Sequence, residues 1–572
     1  MRPMVSCRAA WLLLATIAWM SPPVVWSAPP LESSQPQASA DASASDPQHD
    51  PKAAFERALD FERQKNWQAA IHAYTDALET WPNEVDFVKR RRLCETHYKL
   101  VRRYQDQSFR NVLLRLPQEK SLALYDELLE RIETHYVDPV PFEPLVRRGF
   151  DNFEVALRDP EFLRTNAGTV DATRVQWLRD ALRARRSRIT TPDRSSAQTE
   201  VLAVCDLAAK ALHLGASAVI LEFTYGACDS LDDYTSYLTP DKLDDLYAMI
   251  DGNFVGLGIE LKLDTEGLRL VGVIRGGPAA EAGLKVGDQI TRVGELAVRG
   301  LSLDEAAGRL QGAEGTPIDL QILRSDGSTK SFRIVRRHVE VESVAQSKIV
   351  DPASGIGYVQ LVGFQKNSTE ELDRAITALR RQGMRSLVID LRGNPGGLLN
   401  VAVEMAERFI DRGIIVSTRG RAPGQSQVYK ANAKALWTMP LTVLIDHDSA
   451  SASEILAGAL KDHNRAVIVG ERSYGKGSVQ SIFALRTAPA GLKLTTAKFY
   501  SPKDQPYSEQ GVAPDIKVHV AAKPAADSAD SAAASGTGTD TPQLEETPGD
   551  PLHDTALVKA MELAKRRLNA AR

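Results

Sequence analysis

The chain is poor in the features that mark several large protein classes. It has 4 cysteines in 572 residues. Cys94, Cys205 and Cys228 are too widely spaced for a zinc pattern or a dense disulfide framework. Three solitary buried thiols fit better, although an oxidising compartment would allow one bridge. Charge imbalance is also small: 70 Lys and Arg against 74 Asp and Glu leave −4. No global basic surface invites nucleic acid. Long apolar runs are missing outside the N-terminus, so no other stretch could span a bilayer. There, Arg2 and Arg8 precede an apolar run from Ala9 to Met20, which reads as an export signal. A cut after Ala28 would put Trp26 at the third position before it and Pro29 just after it, a poor site. Residues 1–30 therefore read as a signal peptide or a membrane anchor, the latter weakened by Pro22 and Pro23. Either way the protein is expected in the periplasm or cell envelope, free or held at the inner membrane.

What is there divides into segments of different texture, and the fold class expected is multidomain α/β. Residues 31–51 are a Ser, Ala, Gln, Pro and Asp spacer. Residues 52–120 are helical. Trp67, Ala70, Ile71, Tyr74, Ala77 and Leu78 share one helical face, which resembles a tetratricopeptide helix pair. No second copy is evident, so a generic helical hairpin remains equally open. Helical patterns continue through 121–250, interrupted by a polar, arginine-rich insertion at about 159–198. From 251 to 338 short β runs broken by glycines predict a compact module of five strands and one or two helices. Residues 339–520 alternate strand and helix, as in an α/β layer. Within it, "STEELDRAITALRRQG" predicts a helix opening on a Ser368–Glu371 capping box and burying Leu372, Ala375, Ile376 and Leu379. "RSLVIDLRG" and "LTVLIDH" read as strands covered on both faces. Residues 521–550 form a second linker, and 551–572 a terminal amphipathic helix.

Chemistry concentrates in the α/β layer. "GERSYGKGSVQ" imitates a phosphate-binding loop up to Lys476. Gly477 then stands where the magnesium-binding hydroxyl belongs, and the β-branched "SVQSIFAL" predicts a strand where a helix is required. Nucleotide binding is excluded on both counts. Upstream, "IDHDSASASEILAGALKDHNRA" takes a strand through a serine-rich turn into a helix. Ser451 stands there beside unpaired amides at the positive end of the helix. Local sequence alone favours Ser451 as a cap of the helix, with Glu454 completing Ser-x-x-Glu. "VIDLRGNPGG" supplies a glycine-rich turn whose successive N–H groups form an anion nest at the same end of the layer. A lysine buried there loses its charge by desolvation and can deprotonate a serine. His463 lies about three helical turns beyond Ser451, too far along one helix to touch it. His447 is a loop histidine better placed in solvent than in a triad.

At these residues the sequence resembles the carboxyl-terminal processing peptidases, also called tail-specific proteases. The resemblance runs from about Tyr125 to Ile516, apart from the insertion, through "HYVDPV", "SLDDYTSYLTP", "GNFVGLGIEL", "IGYVQLVGF", "DLRGNPGGLL", "SASASEILAGALKD", "GERSYGKGSVQ" and "GVAPDI" in order. It implies a crotonase-like layered core and a Ser/Lys dyad that needs no metal or cofactor. Ser451 would be the nucleophile, Lys476 the general base and Gln480 the amide that orients it. It also implies Gly397 and Ala452 as oxyanion donors, with Gly396 as the competitor for the first, and a supporting role for Asp462. The β module resembles a PDZ domain, with Gly256, Leu257, Gly258 and Ile259 as the loop and strand entry that would hold a terminal carboxylate. The implied partners are proteins with accessible C-terminal tails. The N-terminal helices offer a surface for an adaptor or for self-association. A catalytically silent scaffold that binds tails through PDZ and an acyl-CoA-type α/β enzyme are the rival readings.

Overall fold

The computed structural model describes residues 13–14, 50–264, 267–299, 301, 303–518 and 549–570. The expected leader and both linkers lie almost wholly outside these residues. Among the described residues no helix is long and apolar enough to cross a membrane.

The helices Pro51–Arg63, Trp67–Thr80 and Val85–Gln105 come first. They close a small core of their own around Ala58, Ala70, Tyr74, Phe87 and Cys94. A buried polar knot fixes their packing: Glu62 accepts from the Tyr74 hydroxyl at 2.6 Å and from Arg90 Nε at 2.9 Å. A larger helical body follows, including Gln118–His135, Phe142–Ala156 and Ala216–Asp229. The arginine-rich stretch joins it as helices Pro160–Asn166 and Ala172–Arg186, because Phe162, Leu178 and Leu182 face inward into the same core. Its arginines stay outside and pair with carboxylates such as Glu154. Cys94, Cys205 and Cys228 are buried free thiols.

That helical core rests on an antiparallel sheet. Phe483, Leu485, Leu492 and Leu494 belong to it. The strands Ser478–Ala484, Gly491–Tyr500, Gly413–Gly420 and Gln427–Ala431 are neighbours in this sheet, and Ser236–Leu238 pairs with Gly491–Tyr500. On the sheet's other side lie the helices Ser368–Arg381, Leu399–Glu407 and Ala452–Asp462, in one apolar core with a second sheet. The second sheet runs Val344–Asp351, Ile356–Leu361, Ser386–Asp390, Leu441–Ile445, Ala466–Gly470, Ile516–Lys517, parallel after its first pair. Its central strands are buried on both faces, as their unbroken apolar sequence requires. Leu387 and Ile389 face the helices, while Val388 faces a terminal helix, Thr555–Ala570, that covers the far side with Ala556, Leu557, Ala560 and Ala564.

One local expectation fails. The helix at Ser368 has Asn367 as its N-cap residue, and no capping box forms. Ser368 Oγ instead accepts the Gln365 N–H at 2.7 Å. Glu371 reaches across to the amides of Ser343 and Val344, at 2.7 and 3.1 Å. Two stranded amides at the entry of a strand outcompete one at the helix start, since buried N–H groups must find acceptors.

The PDZ-like module is an antiparallel sheet ordered Ile259–Asp264, Gly267–Val273, Gln289–Val293, Pro317–Leu323, Thr329–Val335. It closes its own core around Leu257, Leu270, Ile290, Leu320 and Ile322. It joins the rest through a two-stranded strap in which Asn253–Gly256 pairs antiparallel with Arg337–Glu340.

Candidate active site

The strand Leu441–Ile445 ends in a turn that bends sharply into the helix Ala452–Asp462. Ser451 sits at the bend with φ 60° and ψ −112°, a conformation that costs about 1–3 kcal/mol for a residue with a side chain. Its surroundings hold it there. Ala450 N–H donates to Asn394 O at 3.0 Å, Ser453 Oγ to the same oxygen at 2.9 Å, and Ser451 N–H to Glu454 Oε2 at 2.7 Å. The Ser451 hydroxyl is fully buried and has no hydrogen-bond partner. Ser451 and Glu454 keep the reciprocal arrangement of a capping box, in which Glu454 takes the backbone amide while the serine oxygen faces the helix amide without a full hydrogen bond.

The glycine-rich turn lies directly against this bend. A Cβ on Gly396 would stand 2.8 Å from Ser451 Cβ and 2.9 Å from Ala452 N, and Gly396 has φ +102°, so only glycine fits. The structure also separates the two candidate donors. Gly396 N–H is taken by Asn394 Oδ1 at 2.9 Å, whereas the Gly397 and Ala452 amides enter no turn, cap or side-chain bond among the described residues. Asn394 is the hub of the turn, since its Nδ2 also donates to Leu361 O at 2.7 Å.

Lys476 arrives on a separate loop and is only 4% exposed. The strand that follows it, Ser478–Ala484, is the one the sequence predicts in place of a nucleotide-binding helix. Glu454 ties the two loops together. Its Oε1 accepts from Ser473 Oγ at 2.7 Å and Gly475 N at 2.6 Å, and its Oε2 from Ser451 N at 2.7 Å and Lys476 N at 3.0 Å. Because one oxygen binds both amides, the nitrogens of Ser451 and Lys476 lie less than about 6 Å apart. The Lys476 ammonium position is 4.7 Å from the centre of the Tyr234 ring, within cation–π range.

Burial dominates the electrostatics. Desolvation lowers the Lys476 pKa to about 7, the positive charge of Lys493 adds to the fall, and Glu454 and Asp232 oppose it. Glu454 is pushed up to about 7 by the same desolvation, against the pull of its four donors. Lys493 is lowered too, by burial, with Asp232 opposing. At neutral pH a large share of Lys476 is therefore neutral, and the Ser451 hydroxyl makes no hydrogen bond to it or to any other group.

The other residues named from sequence fall into three groups. Gln480 is fully buried on the strand after Lys476, opposite Thr495, and its Nε2 donates to Ser478 Oγ at 3.0 Å and Thr495 Oγ1 at 3.3 Å. Asp462 stands at the far end of the helix that begins after Ser451, accepts from Ser501 Oγ at 2.7 Å and braces that loop. The histidines are elsewhere: His447 is exposed beside Asp448, and His463 Nε2 meets Ile414 O at 2.7 Å. In the β module, Gly256 ends the strap opposite Arg337, and Leu257 is buried in the module core. Gly258 has φ +73°, and Ile259 begins a strand at the sheet edge. Sequence reasoning gave Glu454 only a capping role and passed over Asn394, Tyr234 and Lys493. A carboxylate on an otherwise apolar helix face was the available signal for the first.

Comparison with known proteins adds independent findings. The signature described as peptidase family S41 matches residues 355–518, and that of a PDZ domain matches residues 269–324. A carboxyl-terminal-processing protease of Synechocystis sp. is 35% identical over 303 residues, spanning 51% of this chain and 70% of the relative. A carboxy-terminal-processing protease of Bartonella bacilliformis is 40% identical over 298 residues, spanning 50% of this chain and 67% of the relative. Among solved structures, a photosystem II D1 C-terminal processing protease aligns over 70% of this chain and 93% of its own, with 26% identity and a TM-score of 0.38.

Proposed function

This chain belongs to peptidase family S41, among the carboxyl-terminal-processing proteases, and from that premise we propose that it is a serine endopeptidase working through a Ser451/Lys476 dyad on the tails of exported proteins. The single carboxylate shared by the serine and lysine loops carries this reading, because it fixes the two backbones within one hydrogen-bonded unit. Neutral Lys476 takes the Ser451 proton as Oγ attacks the peptide carbonyl. The amides of Gly397 and Ala452 receive the oxyanion, and the helix beginning at Ala452 adds its positive end. The Lys476 ammonium then returns its proton to the leaving amine. Water releases the acyl group with Lys476 again as base. Gln480 orients the lysine. The PDZ domain captures the free C-terminus as a strand added beside Ile259–Asp264, with the Gly256–Gly258 loop toward the terminal carboxylate.

The test is direct. Purified protein and its Ser451→Ala form are incubated with a tailed substrate, products are read by mass, and both forms are treated with a fluorophosphonate. Wild type should cleave and label at Ser451, whereas the variant should do neither while melting at the same temperature. Cleavage by Ser451→Ala would refute the assignment. Tail binding with no cleavage and no labelling by wild type would favour the silent scaffold.

A further inference from the structure

Arg392 opens the glycine-rich turn, and its guanidinium is buried between two carboxylates. Nε donates to Asp390 Oδ1 at 2.9 Å, and Nη2 donates to Asp390 Oδ2 at 2.6 Å. Asp390 belongs to the strand that feeds the turn, and its Oδ2 also accepts the Tyr358 hydroxyl at 2.7 Å. The second carboxylate is Asp554, 162 residues away along the chain. It accepts Arg392 Nη1 at 3.0 Å and Nη2 at 2.6 Å. The side chains of Arg392, Asp390 and Asp554 are 9%, 0% and 1% exposed. Asp554 also caps the terminal helix, accepting Leu557 N–H at 2.9 Å, and takes Gly549 N–H at 3.0 Å.

The turn is pinned at several points, including Asn394 Nδ2 donating to Leu361 O, Phe364 N–H to Gly396 O and Leu398 N–H to Phe364 O. Gly393 N–H goes to Asp446, and Asn394 joins the bend at Ser451. These pins lie within the peptidase layer. The bond from Arg392 to Asp554 reaches a helix on the opposite face of the sheet. We propose that Asp554 is a positioning residue of the catalytic centre, holding through Arg392 the start of the turn whose Gly397 amide receives the oxyanion. The terminal helix is then an arm of the active site as well as a cover for apolar surface. Charge-assisted, two-pronged bonds of this kind fix orientation as well as contact. An oxyanion donor depends on placement to within fractions of an ångström.

The inference rests on the dyad reading only for its kinetic readout, so two measurements are paired. Asp554→Asn in the full chain keeps an oxygen for the Leu557 cap and loses one acceptor for Arg392. Amide hydrogen exchange at Gly393, Asn394 and Gly396, whose N–H groups are bonded, should quicken about tenfold. In parallel, kcat on a tailed peptide and the rate of fluorophosphonate labelling at Ser451 should fall about tenfold with KM within about twofold, a fraction of the 10²–10³ that loss of a whole donor costs. If exchange at the turn and kcat both hold while Asp554→Asn melts earlier, the helix is only a cover and the proposal is overturned. Should wild type fail to label at Ser451, the dyad reading falls, and turn exchange in Asp554→Asn alone decides the latch.

Discussion

Glu454 sits three residues after Ser451, fully buried, with two donors on each oxygen. Glutamine in its place keeps the shape and turns one acceptor into a donor, stranding two buried N–H or O–H groups at about 1–3 kcal/mol each. Glu454→Gln should lower the melting temperature by several degrees and cut activity more than the fold loss explains, as denaturation and kcat measured together would show. The pH profile belongs to this scale as well. In the proposed dyad Lys476 would act as a base only when neutral, and its pKa is lowered to about 7. Activity should therefore climb through neutrality and level off in mild alkali. Lys493→Met removes the positive neighbour, so the Lys476 pKa should rise and the acid limb of kcat/KM should move to higher pH. A limb that stays put would separate Lys493 from the dyad. Gly396→Ala should inactivate outright, because its Cβ would meet the backbone of the nucleophile's bend. Labelling at Ser451 checks this.

At the scale of elements, much was legible. Unbroken apolar runs announced the central strands because both their faces are covered. β-Branched residues after Gly477 announced a strand where a nucleotide site would need a helix. Ser-x-x-Glu at Ser451 does form a capping-box arrangement, yet it hides the glutamate's wider role, because its other partners, Ser473 and Gly475, are 19 and 21 residues further on. Ser368–Glu371 misled, because the donor that wins the Glu371 carboxylate is the Ser343 amide, 28 residues earlier. Local pattern reports the competition inside one element, and tertiary contacts settle it. The Asp554–Arg392 bond had no local signal at all. The edge strand Ile259–Asp264 carries its own prediction. If its entry loop grips a terminal carboxylate, a tail ending in an amide should be cut with KM raised at least about tenfold and kcat little changed. Equal KM for acid and amide tails would remove the loop from recognition.

The whole molecule is layered: helices, antiparallel sheet, helices, mostly parallel sheet and terminal helix, with the PDZ domain standing apart on its strap. The separate core of that domain predicts that it can be excised. Joining residues 256 and 337 by a short turn should leave Ser451 reactive and the melting of the remainder nearly unchanged, while the preference for free tails disappears. Peptide kinetics and labelling together report both. The strap has a further consequence. Entry and exit strands are paired residue for residue, Gly256 against Arg337, so the domain hangs from one post with a single pivot. A chain end gripped on the domain's edge must bridge a span set by that lever before any bond can reach Ser451. The enzyme would therefore act as a ruler: released fragments should share a minimum length from the terminus, whatever their sequence.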